Sequence, residues 1–156
     1  MAQQYVVMKM GKELYGAPVM QVVSVERMMD ITPVPRTLSF IKGVVNLRGT
    51  VTPVIDLRER VGLSATERLD SDAMRIVIVE VDTMLVGMIV DSVEDVVTVD
   101  ESQVSAPPEV VGGLRAVYLH GVAQLDERLL VLLNLNRILS DVEVDQLREV
   151  EKRVHG

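Results

Sequence analysis

Apolar residues along this chain come in short, β-branched runs cut by one or two turn residues. Tyr5–Met10 is apolar apart from Lys9, Gly11-Lys12 break the run, and Leu14–Val19 resume it. Two such runs around a glycine-containing pair predict an antiparallel hairpin. From Val19 to Met29 the pattern is mixed. Val19, Val22 and Val23 share a helical face while Val23, Val25 and Arg27 alternate, which predicts a helical turn passing into a strand. Thr32-Pro33-Val34-Pro35 stops any helix, because each proline biases its predecessor towards extended geometry. The strongest signal is Phe40–Leu57, FIKGVVNLRGTVTPVIDL. Ile41, Val44, Val45 and Leu47 precede Arg48-Gly49, and Val51, Val54, Ile55 and Leu57 follow it. This is a second hairpin, with Gly49 supplying the positive φ of a tight turn. Pro53 has no N–H to give a ladder, so the second run is expected at a sheet edge or bulged there. Arg58-Glu59-Arg60-Val61 predicts a brief helix ended by Gly62, and the polar stretch Ser64–Ala73 a linker.

The pattern then begins again. Arg75–Val81 (RIVIVEV), the Asp82-Thr83 turn and Met84–Val90 match the first hairpin at an offset of 71. At that offset Tyr5 falls on Ile76, Leu14 on Leu85 and Gly16 on Gly87, and Val19, Val22 and Val25 fall on Val90, Val93 and Val96. Pro33/Pro35 correspond loosely to Pro107-Pro108, and the match resumes at an offset of 78, with Gly43 on Gly121, Leu47 on Leu125 and Asp56 on Asn134. The glycine registration favours a duplication over a chance alignment of valine-rich strands.

A period of seventy-odd residues with about five short strands each predicts an all-β protein of two similar small barrels or curled sheets. The first subdomain spans about residues 5–68 and the second about 74–139. Units of this size bury only about 60% of their unfolded surface, so the two are expected to share an interface, with a partner groove between them. The pattern leaves open whether the Tyr5–Met10 strand pairs within its own unit or crosses to the other. Ser140-Asp141-Val142-Glu143 is a capping-box pattern, and Val144, Leu147, Val150 and Val154 follow at helical spacing. A C-terminal helix over about 141–154, packed back on a barrel, is expected.

Composition narrows the functional classes. Hydrophobic residues make up 48% of the 156 but aromatics only 3%, so Val, Leu, Ile and Met must build the core. A net charge of −7 argues against a general binder of nucleic acid or anionic membranes. No cysteine is present, which excludes disulfides, thiolate metal sites and a cysteine nucleophile. MAQQ carries no positive leader region, and no apolar run approaches the roughly 20 residues of a membrane helix. The expectation is a soluble cytoplasmic protein with no direct membrane contact.

Candidate chemistry is sparse. His120 and His155 are far apart, and His120 has Lys42 as its repeat mate, the mark of a surface site rather than of a catalytic base. Asp91, Glu94 and Asp95 read as a solvated acidic run rather than a metal site. Gly112-Gly113 lacks the Lys and helix start of a phosphate loop, and spacing points to no Ser/His/Asp trio. No catalytic residue, metal or cofactor is therefore assigned. Met20, Met28 and Met29 are either flexible core fillers or parts of an adaptable binding surface. Arg48 is either a solvated turn residue or the anchor of a docking surface. A small β-barrel nucleic-acid-binding module is the alternative reading, disfavoured by the acidity and the lack of stacking aromatics.

Phe40–Arg58, FIKGVVNLRGTVTPVIDLR, resembles the signature of the CheW-like domain family of bacterial chemotaxis. The likeness extends over Tyr15-Gly16, the ITPVP segment, VGMIVDSVEDV and the late run LLVLLNLNRIL. The same domain ends the chemotaxis kinase CheA and begins CheV. This chain has no room for an ATPase or receiver domain, so the stand-alone adaptor is the nearest pattern. The resemblance implies two five-stranded SH3-like β-barrels and a non-catalytic scaffold bridging chemoreceptor cytoplasmic tips to the histidine kinase CheA. By matching positions, Val22, Val25, Val93 and Val96 would line the receptor groove, with Gly43, Asn46 and Arg48 beside it. The valine pairs are repeat mates, so both halves would build one apolar trough for a helical hairpin. Arg48 would anchor it through a charge-assisted hydrogen bond. Pro108, Glu109 and Val110 match a loop used against the regulatory domain of CheA. Ser24 stands where many relatives are acidic, so the electrostatic contact of that position is not carried over.

Overall fold

The computed structural model describes residues 2–35, 40–60, 72–106, 110–111, 114–115 and 118–138. The linker up to residue 71, Pro108, Glu109, Gly112-Gly113, the helix expected over 141–154 and His155 lie outside the described residues.

The hairpin signals give strands where the apolar runs stand. β1 (Ala2–Met10) and β2 (Glu13–Pro18) flank Gly11-Lys12, a 3-10 turn at Val19–Gln21 leads into β3 (Val22–Arg27), and β4 (Ile41–Leu47) and β5 (Thr50–Asp56) flank Arg48-Gly49. One helical turn, α1 (Leu57–Arg60), closes the first half. The second half runs β6 (Arg75–Val81), β7 (Met84–Val90), β8 (Ser92–Asp100) and β9 (Val104–Ser105). Then follow β10 (Val110–Val111), β11 (Leu114–Arg115), β12 (Leu119–Leu125), β13 (Arg128–Leu133) and the turn α2 (Leu135–Ile138). Both residues of the Arg48-Gly49 turn have positive φ (51° and 87°), as do Asp82 and Thr83 (52° and 63°). That geometry matches the twist of the flanking strands.

The duplication reappears in the register. A bulge between Ile41 and Gly43 has its mate between Leu119 and Gly121. The Asp56 amide donates to the Phe40 carbonyl at 2.7 Å, and at the second offset the Asn134 amide donates to that of Tyr118 at 2.9 Å.

The sheets, however, are not built from contiguous chain. One has the order β3-β6-β7-β5-β4, the other β8-β1-β2-β13-β12-β9, and β10 pairs with β11. The β1–β2 hairpin therefore sits among strands of the second half, and β6–β7 among those of the first. The question left open by the sequence is answered here: β1 crosses, pairing with β8 as well as β2. Parallel joins at Val54↔Gly87 and Leu132↔Gly16 stitch each exchanged hairpin to its host. Pro53 falls where its strand has a neighbour on one side only. β5 is interior to its sheet, but the ladder to β7 begins at Val54, and Pro53 pairs only with Val44 of β4.

Strands β1, β6 and β13 each bury side chains on both faces. Val6, Met8, Met10, Val77, Val79, Val81, Val131 and Leu133 enter one large cluster drawn from both halves. Tyr5, Val7, Leu130 and Leu132 enter a second cluster, and Ile76 and Ile78 a third. Of the nine methionines, Met8, Met10, Met84 and Met88 are buried core fillers, and Met29 and Met74 pack half-buried against a core cluster. In the six-stranded sheet only Glu101–Gln103 separates β8, at one end, from β9 at the other, so that sheet curls upon itself. An equivalent return in the other sheet is the bridge of Thr32 to Val44 on β4.

Candidate docking site

β3 and β8, mates at the first offset, are each an end strand of its sheet: among the described residues β3 pairs only with β6 and β8 only with β1. Val22 and Val93 are half-buried and pack against the large shared cluster. Val25 and Val96 are exposed, at 41% and 51%. An apolar side chain held outward on a sheet edge is a feature proteins otherwise suppress with charge, which makes this surface a candidate for docking. Met20 (89%), Val23 and Met28 extend the exposed apolar surface around β3.

The β4–β5 tip stands at the far edge of the same sheet and yet reaches β3. Arg48 Nη2 lies 3.4 Å from Glu26 Oε2, an exposed pair with 74% of the Arg48 side chain open to solvent. Such a pair contributes about 0–1 kcal/mol, so it orients the cation without fixing it. Ser24 precedes Glu26 by two positions, hence on the same strand face. The carboxylate that meets the hairpin arginine is thus supplied by Glu26. Asn46 is exposed and shapes the turn: its Oδ1 accepts the Gly49 amide at 2.9 Å. Gly43 is buried, and a Cβ there would run into the Thr32 carbonyl. Its visible role is to let the segment after β3 close on β4. Arg48 takes φ 51° and so does Asp126, its repeat mate, so this backbone is a demand of the hairpin and only the cation is particular to the first copy.

Beneath these edges lies a network that sequence reasoning missed. Asp91 is buried, at 3% exposure, and not part of a solvated acidic run as expected. Its Oδ2 accepts the Gly11 amide at 2.7 Å and its Oδ1 accepts Arg58 Nη1 at 2.9 Å. Arg58 also donates to both oxygens of Asp56, at 3.0 and 3.1 Å. The hydrogen bond to Asp56, foremost, and the pairing with Asp91 push the Arg58 pKa up against the opposing effect of burial. Glu94 and Asp95 are exposed, as the acidic reading had it. Arg60, two residues on, lies over the rings of Phe40 (5.3 Å) and Tyr118 (4.9 Å), which are repeat mates. The clue available in sequence was Asp56-Leu57-Arg58 itself, an ion pair two positions apart beside a buried leucine.

His120 is exposed, and its mate Lys42 pairs with Glu59 at 2.6 Å, so both are surface positions. Val110 opens β10, opposite Arg115.

A family model for the CheW-like domain matches residues 4–143. The chain belongs to the CheW-like domain family. It is 42% identical over 129 residues to the chemotaxis protein CheW of Bacillus subtilis (strain 168), covering 83% of this chain and 81% of that one. With the chemotaxis protein CheW of Treponema pallidum (strain Nichols) it shares 32% over 146 residues, covering 92% and 86%. The crystal structure of the scaffolding protein TtCheW from Thermoanaerobacter tengcongensis superposes with a TM-score of 0.82 at 34% identity, covering 92% and 91%. The two sheets described above are therefore the CheW-like fold. Among the described residues no helix is long and apolar enough to cross a membrane.

Proposed function

We propose that this CheW-like protein is a non-catalytic, cytoplasmic chemotaxis adaptor that couples chemoreceptor cytoplasmic tips to the histidine kinase CheA. The observation that carries the reading is the paired exposure of Val25 and Val96 on the two end strands, above Val22 and Val93 on the shared core. Pseudo-symmetric apolar positions of this kind suit a partner that is itself a paired helix. Arg48, exposed at the hairpin tip, supplies a cation at the margin, and Asn46 and Gly43 hold the tip in place. Pro108, Glu109 and Val110 are assigned to the kinase side on the family resemblance. Family membership leaves the nucleic-acid-binding alternative without support.

Reconstitution tests the reading. Receptor cytoplasmic fragments, CheA and this protein, mixed together, should give receptor-dependent control of kinase autophosphorylation, and omission of this protein should abolish it. Unchanged control without the protein, or none with a demonstrably folded sample, overturns the proposal.

A further inference from the structure

Lys9, Lys12 and Arg128 meet at one end of the six-stranded sheet, where the β1–β2 turn lies beside the start of β13. They line a cleft of about 360 Å³ with Leu14 and Leu129 between them. Three cations from positions this distant, gathered on a chain of net charge −7, stand out against the field of the whole molecule.

The cluster has three properties of a prepared site. First, none of the three makes an ion pair or side-chain hydrogen bond with a described residue, whereas Arg48 and Arg58 are paired with carboxylates. Second, the turn that carries two of them is held from below. Asp91 accepts the Gly11 amide at 2.7 Å and donates its own amide to the Lys9 carbonyl at 3.1 Å, while Arg58 fixes the Asp91 carboxylate. A backbone clamped in this way loses little freedom on binding. Third, the cations are absent from the equivalent end of the other sheet, where the repeat mates are Glu80, Thr83 and Thr50. The duplicated fold therefore does not require them.

We infer that this cleft docks an acidic protein segment in which carboxylates flank an apolar side chain. Glu13 and Glu94 also line the cleft, so its lining mixes both signs of charge. Single carboxylates that can each meet one cation suit such a mixed lining better than a compact multivalent anion such as phosphate, which Glu13 and Glu94 would repel. Leu129, half exposed, and Leu14 offer apolar contact to a side chain carried between the acids. Glu94 sets the cleft beside the β8 edge, whereas Arg48 lines no part of it, so Arg48→Ala separates this inference from the receptor reading.

The test is an NMR titration of the isotope-labelled full chain with a synthetic Glu-Asp-Leu-Glu-Asp peptide. Saturable shifts are expected at the amides of Gly11, Lys12, Leu14 and Leu129. Affinity should fall about ten-fold in Lys9→Gln/Lys12→Gln/Arg128→Gln and several-fold between about 50 and 300 mM salt. It should be unchanged in Arg48→Ala. Replacing the peptide leucine by serine should weaken binding, which separates an acidic-apolar segment from charge alone. The three exposed or half-exposed cations have no ion pair to lose among the described residues, so an otherwise unaltered spectrum of the triple variant will confirm its fold. Shifts mapping elsewhere, equal binding by the triple variant, or the same response to sodium phosphate or to phosphatidylglycerol vesicles at matched charge would overturn the inference.

Discussion

Arg58 and Asp91, thirty-three positions apart, form an ion pair at 2.9 Å with 11% and 3% of their side chains exposed. This contact joins α1 to the β7–β8 junction and, through Gly11, to the β1–β2 turn. Removing one partner of a buried pair leaves an uncompensated charge and costs about 3–5 kcal/mol. Arg58→Ala strands two carboxylates, Asp56 and Asp91. Asp91→Asn leaves Arg58 still bound to Asp56. Urea melts should therefore show a larger loss for Arg58→Ala than for Asp91→Asn, and both should exceed about 1 kcal/mol. Two wild-type midpoints would contradict the assignment.

Gly43 and Gly121 are repeat mates with unequal tolerance for a side chain. A Cβ on Gly43 meets backbone, the Thr32 carbonyl and Pro33 Cα, at a φ of 144°. On Gly121 the nearest atoms are Val104 Cγ1 at 2.6 Å and the Ser105 carbonyl oxygen at 3.0 Å, a looser backbone approach than at Gly43, and its φ is not positive. Gly43→Ala should cost more than about 2 kcal/mol and Gly121→Ala roughly half of that or less. Thermal melts of the two variants decide the order.

Tyr15 is fully buried and its hydroxyl has no hydrogen-bond partner among the described residues. Burial, with a smaller contribution from the Glu13 charge, pushes its pKa up to about 12. The unfolded phenol ionises near pH 10, so between about pH 10 and 12 the unfolded state binds fewer protons. Tyr15 thus contributes stability that is intact below pH 10 and lost as the pH rises towards 12. Tyr15→Phe should be neutral or mildly stabilising at pH 7, since no bond is broken. Its advantage over the wild type should widen from pH 10 to 12 in denaturant melts, and a constant difference across that range would refute this.

Much of this architecture is legible in the sequence because local chemistry sets it. Two-residue turns interrupt the apolar runs at Gly11, Arg48-Gly49 and Asp82-Thr83, and each becomes a hairpin. Gly43 and Gly121 betray the duplication because the same close approach of backbone recurs in both halves. The exchange of hairpins between sheets is not legible: β1 and β6 share one apolar pattern, and nothing local says which half either joins. Asp91 is misread for a similar reason. Its neighbours Glu94 and Asp95 are solvated, and the arginine that keeps it buried is far away in the chain. Of the groove candidates, the pairing of Val25 with Val96 is visible from the repeat. The role of Glu26 is not, because only the curl of the sheet brings it to Arg48.

Val25→Lys and Val96→Lys separate docking from folding. Both valines are exposed, so each variant should melt within about 0.5 kcal/mol of the wild type. Val22→Lys would bury a charge against the core and cost several kcal/mol. The exposed variants should lower receptor-dependent kinase control, and the double variant should lower it further. Full control in the double variant would remove β3 and β8 from the receptor face.

The most direct measurement is a pull-down of the wild type and Arg48→Ala with a receptor cytoplasmic fragment and with CheA, each partner alone. Arg48 is largely exposed and pairs only loosely with Glu26, so the variant remains folded. Wild-type protein should bind both partners saturably, and Arg48→Ala should lose the receptor and keep the kinase. Binding of neither partner by folded wild-type protein, or undiminished receptor binding by Arg48→Ala, would contradict the proposed two-sided adaptor.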